Sequence, residues 1–170
     1  MHRSHALGAC HQGAAIEGLC LTNDTLTTPA RPYTTFYHNV SSQSGNTVNA
    51  DNTLGVLGWH LTLGALRVPS AMNFDYDPGS NLATPVIMPG QSRYEPVAFE
   101  AGTNHMYIPV KQNDQVSPPE PYLPPLKLKN WFNCLTRYSY TYETLAWKVG
   151  MTGEPQNPTC TAVEVHRVWV

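Results

Sequence analysis

At 170 residues the chain is long enough for one domain with a sizeable core and short for two. Charged residues supply only 13% of it and the formal net charge is −2, which excludes the basic footprint that nucleic acid or an anionic membrane surface requires. No apolar run approaches the roughly 20 residues needed to cross a bilayer as a helix.

Glu and Lys, the strong polar helix formers, are scarce, while 15 prolines and 9 tyrosines suit loop-rich β structure. The start, MHRSHALGACHQGAA, has a basic beginning but lacks the apolar centre of a secretory leader. Residues 1–5 therefore read as a non-native or truncated start, and 6–170 as a single β domain. Two unblocked sequons, Asn23-Asp24-Thr25 and Asn39-Val40-Ser41, mark Asn23 and Asn39 as glycosylation candidates, whereas Asn157-Pro158-Thr159 is blocked by its proline. Both point to an extracellular protein whose leader is missing from the chain.

Between Gly8 and Leu21 a helical turn is the one helical option, weakened by its glycines. Strand periodicity then takes over. Trp59, Leu61 and Leu63 alternate with His60 and Thr62. Met72, Phe74 and Tyr76 alternate with Asn73, Asp75 and Asp77, and the turn signal Pro78-Gly79-Ser80-Asn81 leads into Pro85-Val86-Ile87-Met88. These two runs predict a hairpin, with Pro85 marking an edge or an interruption. Val97 and Phe99 alternate with Ala98 and Glu100, and His105 to Val110 is a further short run.

The stretch 117–125 holds five prolines in nine residues. It must be extended and cannot serve as a central strand. A polyproline ligand is one reading; a stiff surface loop is the preferred one. Beyond it, Trp131 to Cys134 opens a strand, and Tyr138, Tyr140 and Tyr142 mark an aromatic turn or strand. Leu145, Trp147 and Val149 line one face of the next, and Thr161 to Val170 closes the chain as a β-branched strand with little edge protection. About nine or ten short strands predict an all-β, single antiparallel β-sandwich or partly open barrel.

The four cysteines allow three pairings. Local pairing, Cys10 with Cys20 and Cys134 with Cys160, is the expected one, stapling the fold as disulfides do in oxidising compartments. No CxxC occurs, so redox and zinc readings are disfavoured.

Catalytic signals are thin. There is no Gly-x-Ser-x-Gly elbow and no P-loop, and no cofactor is implied. The seven histidines form no ligand spacing along the chain, so no metal site is expected; His2 and His5 offer adventitious binding only, and His60 and His166 read as solvated strand residues. Asp75-Tyr-Asp77-Pro-Gly79-Ser-Asn81 faintly resembles a calcium loop, but hairpin turns use the same residues. Asp75, Asp77, Glu95 and Glu100 offer a carboxylate pair for glycoside hydrolysis if the fold brings two together. Tyr138, Tyr140 and Tyr142 are the expected binding surface, since tyrosines stack on sugars and anchor interfaces.

Taken in order, ALGACHQGAAIEGLCL, FYHN, VPSAMNFDYDPGSNLATPVIMPG, LKNWFNCLTRY, YETLAWKVG and EPQNPTCTAVEVHRVWV resemble a family of small secreted proteins of filamentous ascomycete fungi that carries a domain of unknown function. The resemblance implies a secreted, disulfide-bonded, mainly β domain and brings no catalytic residues. The stretches Gln43 to Gly55 and 117–125 are its variable connections. The function expected is a non-catalytic extracellular or cell-wall binding module for a glycan or host surface component. The alternative is a polysaccharide-active hydrolase.

Overall fold

The computed structural model describes residues 4–25, 28–41, 51–90 and 93–170. His2 and most of the Gln43 to Gly55 connection lie outside them. Twelve strands join in one antiparallel sheet, and the only helical element among the described residues is a single 3-10 turn at Pro32–Thr34. The fold is all-β, in the partly open barrel form.

The chain begins with a hairpin, β1 (Leu7–Gly13) and β2 (Ile16–Leu21), where a helical turn was the alternative. A local turn decides it: Gly13 and Ala15 both take positive φ (114° and 65°), which reverses the chain and cannot propagate as a right-handed helix. Cys10 faces Gly18 and Cys20 faces Gly8, so the Cys10–Cys20 disulfide runs diagonally across the hairpin. Gly18 leaves it room, since a Cβ there would stand 3.2 Å from the Cys10 sulfur.

After the short β3 (Tyr37–Asn39) come β4 (Gly55–Leu63), β5 (Leu66–Tyr76) and β6 (Leu82–Pro89). The β5–β6 hairpin is the one expected, with Phe74 opposite Pro85. Pro85 is nevertheless interior, because β6 also pairs with β11 and β2. The sheet tolerates it because β11 pairs with Leu82 and Ala83 and β2 with Val86 and Ile87; Thr84 and Pro85 fall in the fork between them.

Next follow β7 (Pro96–Phe99), β8 (Met106–Asn113) and β9 (Glu120–Leu128). The proline-rich stretch is thus largely a strand and not a loop. It lies at the end of the strand order, where missing N–H groups face no further neighbour. At the opposite end β10 (Trp131–Arg137) pairs with β11 (Thr141–Lys148) and with the short β12 (Thr161–Ala162), and the Cys134–Cys160 disulfide continues that last pairing.

The expected long terminal strand is only two residues in the ladder, but the chain beyond it is not a bare edge. Val163 N–H donates to Trp131 O, Val165 O accepts from Met106 N–H, and Arg167 N–H donates to Asn104 O. Val163 and Val165 pack on the core. The segment therefore ties β10, at one end of the curled sheet, to the start of β8 near the other.

The core inside the curl gathers Leu19, Met72, Phe74, Ile87, Phe99, Met106, Trp131, Leu145 and Trp147. Trp131 and Trp147 cross edge to face at 4.7 Å between centroids, with Phe74 stacked on Trp147 at 6.1 Å. Trp131 also donates its indole N–H to Met106 O at 2.9 Å, so a side chain completes the backbone pairing of β8. Behind β11 a smaller apolar cluster of Leu82, Cys134 and Ala146 buries that strand's other face, which is why Thr144 to Lys148 are buried at every position while Val149 is exposed.

Candidate functional site

A concavity arises where β5 outruns its neighbour. Strand β4 pairs with β5 as far as Ala71, then turns away to pair with β7. The segment preceding β7 takes over that edge, with Glu95 N–H donating to Met72 O at 3.1 Å. Past this bond the end of β5 stands open, and a cleft of about 530 Å³ forms, lined by Asn73, Phe74, Tyr76, Arg93, Tyr94 and Glu95.

Its lining mixes aromatic rings with polar and charged groups. Tyr76 and Tyr94 are 58% and 53% exposed, while Phe74 beneath is buried and meets the Tyr76 ring edge-on at 5.9 Å. Burial pushes the Glu95 carboxyl above its ordinary range. Burial, and then the charge of Glu95, push the Tyr76 hydroxyl up. Chemically the cleft offers two ring faces, a guanidinium, a carboxamide and one carboxylate. That set suits a neutral polyhydroxylated ligand, whose C–H faces stack on rings while hydroxyls bond to the polar groups.

The four candidate carboxylates are not assembled into a pair at this cleft. Among the described residues lining it, Glu95 is the one acid. Asp77 is used in the β5–β6 turn, where Gly79 N–H donates to its Oδ1 at 2.7 Å and Ser80 N–H to its carbonyl at 3.0 Å. Asn81 is likewise engaged, with its side chain bonded to Glu154 O and to Gln156 N–H. The segment that resembles a calcium loop is thus built as a turn. Asp75 follows strand alternation onto the face opposite Tyr76. Glu100 is fixed elsewhere by Lys129 at 2.7 Å, Thr103 at 3.0 Å and Lys127 at 3.2 Å. Hydrogen bonds from these groups hold its pKa down to about 2.

The three tyrosines of the β10–β11 hairpin form a separate surface. The exposed rings of Tyr140 and Tyr142 lie 6.2 Å apart, and His11 from β1 joins them 6.0 Å from Tyr140. Tyr138 is half-buried at the turn, where its N–H donates to Tyr140 O. His11 is in turn 3.6 Å from Glu17. A smaller cleft of about 290 Å³ lies on β4, with Arg31, Tyr37, Trp59, His60 and Arg67 in its lining. There His60 is half-buried edge-on against Tyr37 and not solvated as expected. Both sequon asparagines, Asn23 and Asn39, are exposed.

Sequence periodicity marked Tyr76 as a core-face residue and left Tyr94 without a role. Only the departure of β4 from β5 exposes the first and brings the second beside it. Exposed tyrosines flanking a half-buried acid carry no linear signature.

No curated protein and no solved structure matches the chain. No helix among the described residues is long and apolar enough to cross a membrane. The family described as "Domain of unknown function (DUF7907)" matches residues 2–169, nearly the whole chain, and the chain belongs to that family.

Proposed function

We propose that this is a non-catalytic extracellular binding module that recognises a glycan, of a cell wall or a host surface, through the Tyr76–Tyr94 cleft. The observation that carries the reading is that cleft's composition: two exposed tyrosine rings beside Asn73, Arg93 and a single half-buried carboxylate, Glu95. The Tyr140–Tyr142 surface, flanked by Tyr138, is its second contact area. Two disulfides fit an oxidising compartment, and exposed Asn23 and Asn39 fit glycan attachment after secretion.

The alternative is a polysaccharide-active hydrolase with Glu95 as general acid, since a carboxyl raised by burial suits proton donation. Such an enzyme needs a second carboxylate about 5–10 Å away, and the cleft lining supplies none among the described residues. This favours binding.

A glycan-array screen of the oxidised protein, run beside a reducing-sugar release assay, tests both readings. Binding without release is expected, and Tyr94→Ala should weaken the best ligand about tenfold, or about 1.4 kcal/mol. Sugar release abolished by Glu95→Gln would establish the hydrolase. Binding unaffected by both Tyr76→Ala and Tyr94→Ala would remove the cleft from consideration.

A further inference from the structure

Residues 104–106 and 165–167 meet in an isolated antiparallel bridge centred on His105 and His166. Met106 N–H donates to Val165 O at 2.8 Å and Arg167 N–H to Asn104 O at 2.9 Å. This pattern makes His105 and His166 a non-hydrogen-bonded pair, the arrangement in which facing Cα atoms approach most closely, about 4.5 Å. The two imidazoles rise together, 4.2 Å apart between centroids and at 78° to each other. Glu164 precedes His166 by two residues and shares its face by strand alternation. Its Oε2 stands 3.7 Å from His105 Nε2 and 3.6 Å from His166 Nε2.

We propose that His105, Glu164 and His166 form a binding site for a divalent transition-metal ion of the zinc type, with solvent completing the coordination. One donor atom from each residue lies within 4.8 Å of the others. A tetrahedral ion with bonds of about 2.0–2.1 Å spaces its ligands roughly 3.4 Å apart. The two nitrogen–oxygen separations therefore already approach the edges of such a polyhedron. Two imidazoles and a carboxylate suit zinc, copper(II) or nickel better than calcium or magnesium, which take oxygen donors.

The hydrogen bonds around the triad support the assignment. His166 Nδ1 lies 3.3 Å from Thr103 O. A carbonyl only accepts, so Nδ1 is the donor there, and Nε2 is the ring atom left facing the Glu164 carboxylate. A backbone carbonyl behind a ligating histidine is the usual orienting contact, and it leaves Nε2 on the side of Glu164 and His105. Access is open, since Glu164 and His166 are exposed while the bridge holds their backbone.

Lys129 works against the ion. Its Nζ lies 3.2 Å from His105 Nδ1 and 2.7 Å from Glu100 Oε2. With the ion on Nε2, His105 must carry its proton on Nδ1, and the ammonium must turn wholly to Glu100. Removing Lys129 should therefore strengthen metal binding.

The test is titration of the metal-free full chain with Zn2+ against a chromophoric chelator, with copper(II) loaded separately for electron paramagnetic resonance. One ion per chain and two coordinated imidazole nitrogens are expected. His105→Ala and His166→Ala should each weaken zinc at least about 100-fold, the upper end of what losing an orienting partner alone costs. Lys129→Ala should tighten it, and replacing both His2 and His5 by alanine should leave it unchanged. Circular dichroism of each variant checks the fold, and the exposed His166 and Glu164 positions keep the test usable if His105→Ala unfolds. Unchanged affinity in His166→Ala, loss on replacing His2 and His5, or weaker binding in Lys129→Ala would each overturn the assignment.

Discussion

Replacing Trp131 by phenylalanine should destabilise the protein by about 2–4 kcal/mol. Trp131 is 1% exposed, sits edge-on against Trp147, and donates its indole N–H to Met106 O. Phenylalanine keeps an aromatic ring on Cβ but deletes the donor and the distal part of the indole. The stranded carbonyl accounts for about 1–3 kcal/mol of the loss. The smaller ring leaves a void in a packed cluster, and shedding roughly two buried carbon groups adds about 1–1.5 kcal/mol. The cost concentrates here because this contact joins β10 to β8. Equilibrium urea unfolding followed by far-ultraviolet circular dichroism measures it, with the midpoint expected to fall at unchanged slope. Trp131→Ala should cost more, about 3–5 kcal/mol. A loss below about 0.5 kcal/mol in Trp131→Phe would be within the range of an ordinary surface change. The indole–carbonyl bond would then hold nothing together.

The two disulfides should differ in worth: they span 10 and 26 residues, so loop entropy assigns about 2.7 and about 3.5 kcal/mol. Denaturation of Cys20→Ser and Cys134→Ser chains checks the ranking. Glu100 should give a signature in acid. Its folded pKa of about 2 lies below the ordinary 4.5, so the stability it contributes is present above about pH 4.5 and lost as pH falls towards 2. The stability difference between the natural chain and Glu100→Gln should shrink over that window; a constant difference would show that the lysine bonds are not formed in solution. Secretion of the chain behind a leader should add glycans at Asn23 and Asn39, read as two mass steps removed by an amidase and abolished one at a time by Asn→Gln. Gly18→Val should impair folding, because even a Cβ would press on the Cys10 sulfur at 3.2 Å and on the Gln12 side chain at 3.3 Å; native-like melting would refute the close-approach argument.

Much of the fold was readable because its signals are local. Alternation from Met72 to Tyr76 with a Pro-Gly-Ser-Asn turn specifies a hairpin whatever surrounds it, and the cysteine pairs close across neighbouring strands. Signals failed where tertiary context decides. A proline run is extended in any setting, but only its place at the end of the sheet turns 120–128 into a strand. Pro85 reads as an edge from sequence and is interior because two neighbours divide the strand between them. The sites were the least legible. Tyr76 and Tyr94 line one cleft only because β4 departs, and His105 meets Glu164 and His166 only because a bridge sets them face to face from distant parts of the chain.

The tie formed by residues 163–167 also bears on the order of assembly. It follows in sequence everything that it binds, Asn104, Met106 and Trp131 included. A nascent chain can complete the β1–β2 hairpin, whose two strands are adjacent in sequence, and oxidise Cys10 with Cys20 long before Cys160 emerges. Until the last of these residues arrives, the Trp131 carbonyl and the Met106 N–H lack these partners, and the part of the core that Val163 and Val165 pack against is uncovered. Long-range closure of this kind makes folding slow and leaves the waiting intermediate prone to self-association. The contact that shuts the curl is thus expected to bear on aggregation during folding as well as on stability.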